Sequence, residues 1–333
     1  MKKTFAILGL LAIFLLFAVV FRLNLNKLYI EKDSFVVYEN AGTSGMFAMF
    51  SGILGALDYY DQGQLKGIRV DLNDGPYLDS AHGPNWWNYF FSPVDLGDSS
   101  GKIHAITIED HLHLAHKGFH MSRHRASELI QKYVHVSPGI QEEVDAFVRA
   151  HFDNHFVIGV HHRGTDKVTE MPLIPYERTI NTLNEVIANL KPEQKVNFKI
   201  YVASDDQHFL TYLTQLYPEK LIYGDFVRSE DETPLHLGND ARYGSVYQKG
   251  KEALLECLLL ARCQYLIRPW SSLSIVSDHF NPDIPVASLM ERHWFKALFK
   301  PDTVPKPLQV TVELSEKVKW IQKNGWRDNG EIE

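Results

Sequence analysis

The second half of the chain is dominated by short apolar runs that alternate with helical patterns. The runs FVIGV, FKIYVA and YLI each have the composition of a buried strand, and each is followed by a segment with the apolar spacing of a helix. Strands that alternate with helices predict a parallel sheet, because parallel neighbours need a crossover connection. We therefore predict an α/β domain over residues 151–333.

The first half shows a weaker form of the same pattern. A predicted strand at residues 35–38 is followed by a glycine-containing turn, a helix to about residue 60 and a second strand at residues 68–72. A chain of 333 residues has room for two domains of ordinary size. The pattern thus predicts a second Rossmann-like domain at residues 29–150, with the two domains facing a cleft.

Residues 1–28 differ from everything that follows. Two lysines precede an apolar run from Thr4 to Phe21, and Arg22 follows it. Eighteen residues in a helix span about 27 Å, which is close to the thickness of a bilayer core. The run ends in AVVFR, a poor cleavage site, so we expect an uncleaved single-pass anchor with its N-terminus inside; a cleaved signal peptide is the alternative. A Golgi-type lumen and a bacterial envelope both fit this orientation.

The net charge of the chain bears on which ligands and macromolecules it can bind. The formal net charge is −7, which gives no reason to expect nucleic acid as a partner. An anionic ligand would therefore have to be held by a local cluster of cations.

Polar side chains follow three strands of the predicted sheet: HHRGTDK, SDD and RPWSS each begin where an apolar run ends. The carboxyl ends of parallel strands share one edge, so these segments are expected to meet in one crevice. Ser271 and Ser272 stand where a helix should start, which suits an anion. Arg163 has the planar fork that binds phosphate, and Lys167 is a second cation. Together they indicate a diphosphate site, with plain helix capping and an Arg163–Asp166 surface ion pair as the alternatives.

The same segments resemble the motifs of the GDP-fucose-dependent fucosyltransferases. HHRGTDKVTE is similar to the H-x-R-x-[TG]-D-K signature, nearest to the α-1,6 branch, YVASDDQHFL resembles the second motif and ECLLLARCQYLIRPWSS the third. NAGTSGMFAMFSGILGAL is loosely similar to the glycine loop and helix that open these enzymes. The resemblance spans about residues 35–280 and is strongest at residues 159–272.

The resemblance implies a GT-B-type enzyme that moves L-fucose from GDP-β-L-fucose to a hydroxyl of a glycan or glycoprotein. Transfer would invert the anomeric carbon and give an α-linkage. Residues 29–150 would hold the acceptor, and residues 151–333 would bind the nucleotide sugar. Another nucleotide sugar, or a binding protein without catalysis, are the alternatives.

Roles for individual residues follow from the same resemblance. Arg163 would bind the diphosphate, His161 would approach the guanine–ribose end, and Glu256 would recognise the guanine N1–H and amino group. His162 should point to the opposite side of its strand. The remaining donor contacts would come from Asp205, Asp206, Ser271 and Ser272.

Three residues of the first motif are implied in catalysis. Asp166 and Lys167 would order the loop near the fucose, and Glu170 would be the general base that deprotonates the acceptor hydroxyl. Gly164 departs from the pattern, because the α-1,6 branch has a second arginine there.

The resemblance implies no cofactor and no metal. No D-x-D sequence occurs in the chain, so side chains and helix N-termini would neutralise the leaving group. The histidine-rich segment at residues 111–125 matches no zinc pattern, and we predict a solvated or acceptor-facing segment there. A metal-dependent hydrolase built on these histidines is the remaining alternative.

Overall fold

The structure, a computed structural model, describes residues 30–40, 42, 44–164, 174–230 and 244–289. Its contacts divide the chain into two compact units, Met1–His135 and Val136–Glu333. Within the described ranges, no helix is long and apolar enough to cross a membrane. The predicted anchor at residues 1–28 lies outside these ranges.

The first unit is built on a four-stranded sheet in the order β3-β2-β1-β4. Its strands are β1 (Phe35–Tyr38), β2 (Gly67–Val70), β3 (Asp95–Gly97) and β4 (Ile103–Ala105). Its helices are α1 (Met46–Asp61), α2 (Trp87–Phe90), α3 (Ile108–Phe119) and α4 (Arg123–Tyr133). β1 is parallel to β2 and β4, whereas β3 is antiparallel to β2.

The histidine-rich segment at residues 111–125, predicted to be solvated or acceptor-facing, is solvated only in part. It forms most of α3 and the start of α4, and α3 begins with a capping box between Thr107 and Asp110. His111 and His113 are buried, and each ring is hydrogen-bonded, to Tyr38 (2.7 Å) and Tyr59 (3.0 Å) respectively. His111 and His113 depart from the predicted solvation because they occupy core positions of an amphipathic helix, where each ring bonds a tyrosine hydroxyl, whereas the other three histidines of the segment are exposed.

Close packing against α1 explains why α3 is buried. A Cβ on Gly55 would lie 2.2 Å from the Leu114 carbonyl oxygen, and one on Gly118 would lie 1.9 Å from that of Ser51. The two helices therefore touch backbone to backbone, and only glycine fits at these two positions.

The second unit is built on a fully parallel five-stranded sheet in the order β7-β6-β5-β8-β9. Its strands are β5 (Phe156–His162), β6 (Phe198–Ser204), β7 (Leu221–Ile222), β8 (Tyr265–Arg268) and β9 (Val286–Ser288). Its helices are α5 (Pro138–His151), α6 (Tyr176–Ala188), α7 (Pro192–Val196), α8 (Gln207–Leu216), α9 (Val246–Ala261) and α10 (Ser272–Phe280). The predicted α/β architecture with a parallel sheet is confirmed.

The division between the units falls before α5 and not at residue 150, where the sequence pattern predicted it. α5 packs on α9, and two ion pairs join them, Lys251–Glu143 (2.7 Å) and Arg262–Asp145 (2.8 Å). Because α5 precedes the first strand of the second sheet, strand–helix alternation alone could not assign it to that unit.

A buried ion pair joins β8 to α10. The Arg268 guanidinium donates from Nε (2.9 Å) and Nη2 (2.6 Å) to Oδ2 of Asp278, and both side chains are almost fully buried. Arg268 Nη1 also donates to the Pro269 carbonyl oxygen at 3.4 Å. Arg268 therefore holds the turn between β8 and α10, the turn that contains the two predicted phosphate-binding serines.

Removing one member of this pair should destabilise the protein strongly. Arg268→Met leaves the Asp278 carboxylate buried without its cation, and we expect the free energy of unfolding to fall by about 3–5 kcal/mol. The double variant Arg268→Met/Asp278→Leu buries no charge at this place and should recover most of that loss. Urea titrations followed by circular dichroism measure both values, and an equal loss in the single and double variants would contradict this account.

Candidate functional site

The three predicted strand-end motifs lie at one edge of the second sheet. β5, β6 and β8 are neighbours and run parallel, so His162, Ser204 and Arg268 end their strands on the same side. The side chains that follow these strands are brought together, which is the arrangement that binds ligands in open α/β sheets.

Arg163 is held at this edge by Asp205. Its Nη1 lies 3.3 Å from Oδ2 of Asp205, and the N–H of Gly164 donates to Oδ1 of the same carboxylate at 3.0 Å. The Arg163 side chain keeps 24% of its surface exposed. One carboxylate at the end of β6 thus orients a partly exposed guanidinium at the end of β5, and that guanidinium can meet an anion.

Asp206 has a different task from that of its neighbour. Its Oδ1 accepts hydrogen bonds from the N–H groups of His208 (2.9 Å) and Phe209 (3.2 Å), which makes it the N-cap of α8. Its Oδ2 accepts a hydrogen bond from the Tyr176 hydroxyl at 2.5 Å. Asp206 therefore fixes the starts of α8 and α6 around the crevice.

The position of Asp206 also explains the glycine at 164. A Cβ on Gly164 would lie 2.6 Å from Oδ2 and 2.7 Å from Cβ of Asp206. No side chain fits there while Asp206 caps α8, so a second arginine at this position would displace the cap.

The start of α10 contains the two serines predicted to contact phosphate. Ser271 is the N-cap residue, yet its side chain makes no capping hydrogen bond, and the first N–H groups of the helix have no partner within it. The Ser274 hydroxyl donates to the Ser271 carbonyl oxygen at 3.2 Å and so supports the turn. Unpaired N–H groups and the positive end of a helix dipole are the features of a helix start that bind phosphate, and the contacts of Ser271 and Ser272 with a phosphate stay a prediction.

The two adjacent histidines point to opposite faces of β5, as strand alternation predicts. His162 stacks on Phe209 with 4.0 Å between ring centroids and contacts Tyr176, so it lies on the side of α6 and α8. Burial lowers the pKa of His162 to about 4, so this ring is neutral at physiological pH. His161 is buried on the other face, which α9 covers at Gly159; its predicted approach to the nucleotide stays a prediction.

Glu256 lies on α9 behind the end of β6. Burial raises the pKa of its carboxyl group to about 7, and Asp205 and Glu252 also raise it. The Arg228 guanidinium and a hydrogen bond from the Ser204 backbone act in the opposite direction. Near neutral pH this carboxyl group can therefore either donate or accept a proton, depending on the ligand it meets.

Arg228 is a cation of this edge that the sequence pattern did not reveal. It lies in a polar stretch after β7 that has no helical or strand periodicity, and its charge lowers the pKa of the Glu256 carboxyl group on α9. Backbone pairing brings it to the site, because the residues after β7 bond to the residues that follow β6.

The three predicted catalytic residues of the loop, Asp166, Lys167 and Glu170, lie outside the described residues. Among the side chains that the structure does describe, no group of three or more histidine, cysteine, aspartate or glutamate residues is arranged to hold a metal ion.

A family model and solved structures both relate this chain to NodZ proteins. Residues 121–284 match the family model described as nodulation protein Z, NodZ. The structure is similar to NodZ α-1,6-fucosyltransferase co-crystallised with GDP, at 16% identity and a TM-score of 0.52, over 77% of this chain and 94% of that chain.

Two further crystal structures show the same fold. Fucosyltransferase NodZ from Bradyrhizobium has 16% identity and a TM-score of 0.51, over 75% of this chain and 92% of that chain. NodZ α-1,6-fucosyltransferase soaked with GDP-fucose has 17% identity and a TM-score of 0.53, over 76% and 94%. The family model and the shared fold thus agree with the resemblance of the three motifs to the GDP-fucose-dependent fucosyltransferases.

Proposed function

We propose that this protein is an inverting GT-B-type glycosyltransferase that moves L-fucose from GDP-β-L-fucose to a hydroxyl of a glycan or glycoprotein acceptor. The product would carry an α-linkage. NodZ, whose fold it shares, has been crystallised with GDP and soaked with GDP-fucose, which supports the choice of donor.

One observation carries the proposal: a guanidinium and a serine-started helix follow neighbouring parallel strands. Arg163 follows β5, and Ser271 and Ser272 follow β8, next to it in the sheet. A cation and a positive helix end separated by one strand spacing match the two phosphate groups of a nucleoside diphosphate. The alternatives, plain helix capping by the serines and a surface ion pair of Arg163, do not require Arg163 and the serine helix start to lie at the same edge of one sheet.

The same groups would assist the chemistry. Displacement at the anomeric carbon breaks the bond to the β-phosphate oxygen, so negative charge grows on the departing diphosphate. Arg163 and the N–H groups at the start of α10 are donors fixed in advance, and each such contact contributes about 3 kcal/mol to transition-state stabilisation in comparable sites. Glu170 would take the proton of the acceptor hydroxyl as that oxygen attacks the opposite face of the sugar, with Asp166 and Lys167 ordering the loop.

Three further features complete the proposal. The first unit would hold the glycan acceptor. The apolar run from Thr4 to Phe21 would anchor the protein in a membrane with its N-terminus inside.

The leaving diphosphate would be neutralised by protein groups without a metal ion, which predicts that EDTA leaves donor turnover unchanged.

Replacing Arg163 should weaken binding of the donor nucleotide. Arg163→Ala removes a charge-assisted hydrogen bond to phosphate, and we expect the Kd for GDP to rise by at least about tenfold. Isothermal titration calorimetry measures this, with Arg149→Ala as the control because Arg149 is an exposed arginine of the same unit. Equal GDP affinity in the two variants would refute the role of Arg163. Turnover of GDP-mannose or UDP-N-acetylglucosamine in place of GDP-fucose would refute the donor.

Binding of GDP should depend on pH through Glu256. Guanine N1–H and the amino group need an ionised carboxylate, and the raised pKa of about 7 means that the free protein must lose a proton to bind. GDP affinity should therefore rise as pH increases from about 6 to 8 and level off above. Glu256→Gln should weaken binding and lack this rise, and the difference between the two profiles removes the titration of phosphate itself. Parallel profiles would show that Glu256 is not the titrating group.

Glu170 should affect transfer but not donor binding. Glu170→Gln removes the proposed base, and we expect transfer to fall by about 100- to 10,000-fold while the Kd for GDP stays within about twofold. Glu177→Gln, an exposed glutamate of α6, is the control. Loss of GDP affinity in step with transfer would argue against a base and for a role in donor binding.

A further inference from the structure

Arg228 is fixed at the carboxyl end of β6 by its backbone neighbours. The N–H of Ser229 donates to the Asp205 carbonyl oxygen at 2.8 Å, and the N–H of Gln207 donates to the Ser229 carbonyl oxygen at 3.1 Å. The residues after β7 thus continue alongside β6 as a short parallel bridge between Asp206 and Ser229. Arg228 belongs to the same sheet edge as Asp205.

Among the described residues, the guanidinium of Arg228 donates its hydrogen bonds to carbonyl oxygens of its own loop. Nη1 donates to the Phe226 carbonyl oxygen (2.9 Å), Nη2 donates to the Gly224 carbonyl oxygen (2.8 Å), and the group lies over the Tyr223 ring at 5.6 Å. Nε is buried and has no hydrogen-bond partner in the described part of the chain. A guanidinium carries five N–H donors, so this one retains donors for a further acceptor.

The surroundings of Arg228 are acidic, yet it forms no ion pair with any described residue. Its charge acts on the Glu256 carboxyl group and on the buried Tyr201 hydroxyl, so these groups lie near it. Glu252 accepts a hydrogen bond from the N–H of Val227 at 3.0 Å, and Asp205 is engaged with Arg163 and Gly164. The Arg228 guanidinium and the Glu256 carboxyl group act on each other without forming an ion pair within 4 Å, so each retains hydrogen-bonding capacity for a ligand that contacts both.

Guanine has the complementary pattern. One edge of the base offers the O6 and N7 acceptors, which arginine binds with two hydrogen bonds, and the adjoining edge offers the N1–H and amino donors, which a carboxylate accepts. Adenine reverses the pattern at positions 6 and 1, so it would place an amino group against the arginine and a lone pair against the carboxylate.

We propose that Arg228 is a specificity-determining residue that donates hydrogen bonds to O6 and N7 of the donor's guanine, while Glu256 accepts from N1–H and the amino group. This inference rests on the proposed function, and it adds to it the residue that distinguishes guanine from other purines.

The test compares two nucleotides that differ only at N7, an acceptor that Arg228 would contact and Glu256 would not. Isothermal titration calorimetry of the full chain with GDP and with 7-deaza-GDP gives a ratio of affinities, which we expect to be on the order of tenfold in the wild type. In Arg228→Ala this ratio should fall to within about twofold of one. Arg149→Ala should keep the wild-type ratio. Arg228→Lys keeps the charge but loses the two-pronged contact, so its ratio should lie between the two.

The following results would overturn the inference about Arg228 or the proposed function. If Arg228 merely supports its loop or binds phosphate, Arg228→Ala weakens both nucleotides equally and the wild-type ratio persists, which overturns the inference. A wild type that binds both nucleotides equally also overturns it. If Arg228→Ala does not fold, judged by thermal unfolding, the ratio in Arg228→Lys decides in its place, and an unchanged ratio there refutes the inference. A wild type that does not bind GDP overturns the proposed function itself.

Discussion

The carboxylate of Asp205 is the contact on which the candidate site depends. It stands directly after β6 and reaches across to the end of β5, where it binds the backbone N–H of Gly164 and the guanidinium of Arg163. Its own carbonyl oxygen receives the N–H of Ser229, which brings the residues after β7 to the same place. One residue thus positions both arginines of the edge, one by its side chain and one by its backbone.

This arrangement places charges where an anionic sugar nucleotide would need them. The chain as a whole is negative, yet Arg163, Arg228 and the start of α10 gather positive charge at one edge of one sheet. The acidic residues beside them are occupied in fixing structure, as Asp206 is by capping α8, or lie on α9 where burial raises the pKa of Glu256. The buried pair of Arg268 and Asp278 then holds the serine turn against β8 without adding a free charge to the crevice.

Much of the second unit could be predicted from the sequence, because its strands are short apolar runs and its polar motifs begin where those runs end. The strand ends at His162, Ser204 and Arg268 lie within two residues of the ends of the three apolar runs, and α10 starts at Ser272, one of the two predicted positions. Arg228 could not be found in this way, since the bridge between Asp206 and Ser229 is a long-range contact with no local signal. The helix α3 was missed for a related reason: buried histidines break the apolar pattern, and only their tyrosine partners, far away in sequence, make the burial possible.

The central claim is that the diphosphate of a guanine nucleotide binds at the carboxyl edge of the second sheet. Amide hydrogen exchange of the full chain, followed by mass spectrometry with and without saturating GDP, tests it directly. The account predicts slower exchange in the first turn of α10, residues 272–274, and at residues 227–230 when GDP is present, because ligand contacts cover those amides. Unchanged exchange in both segments, or protection confined to the first unit, would contradict it.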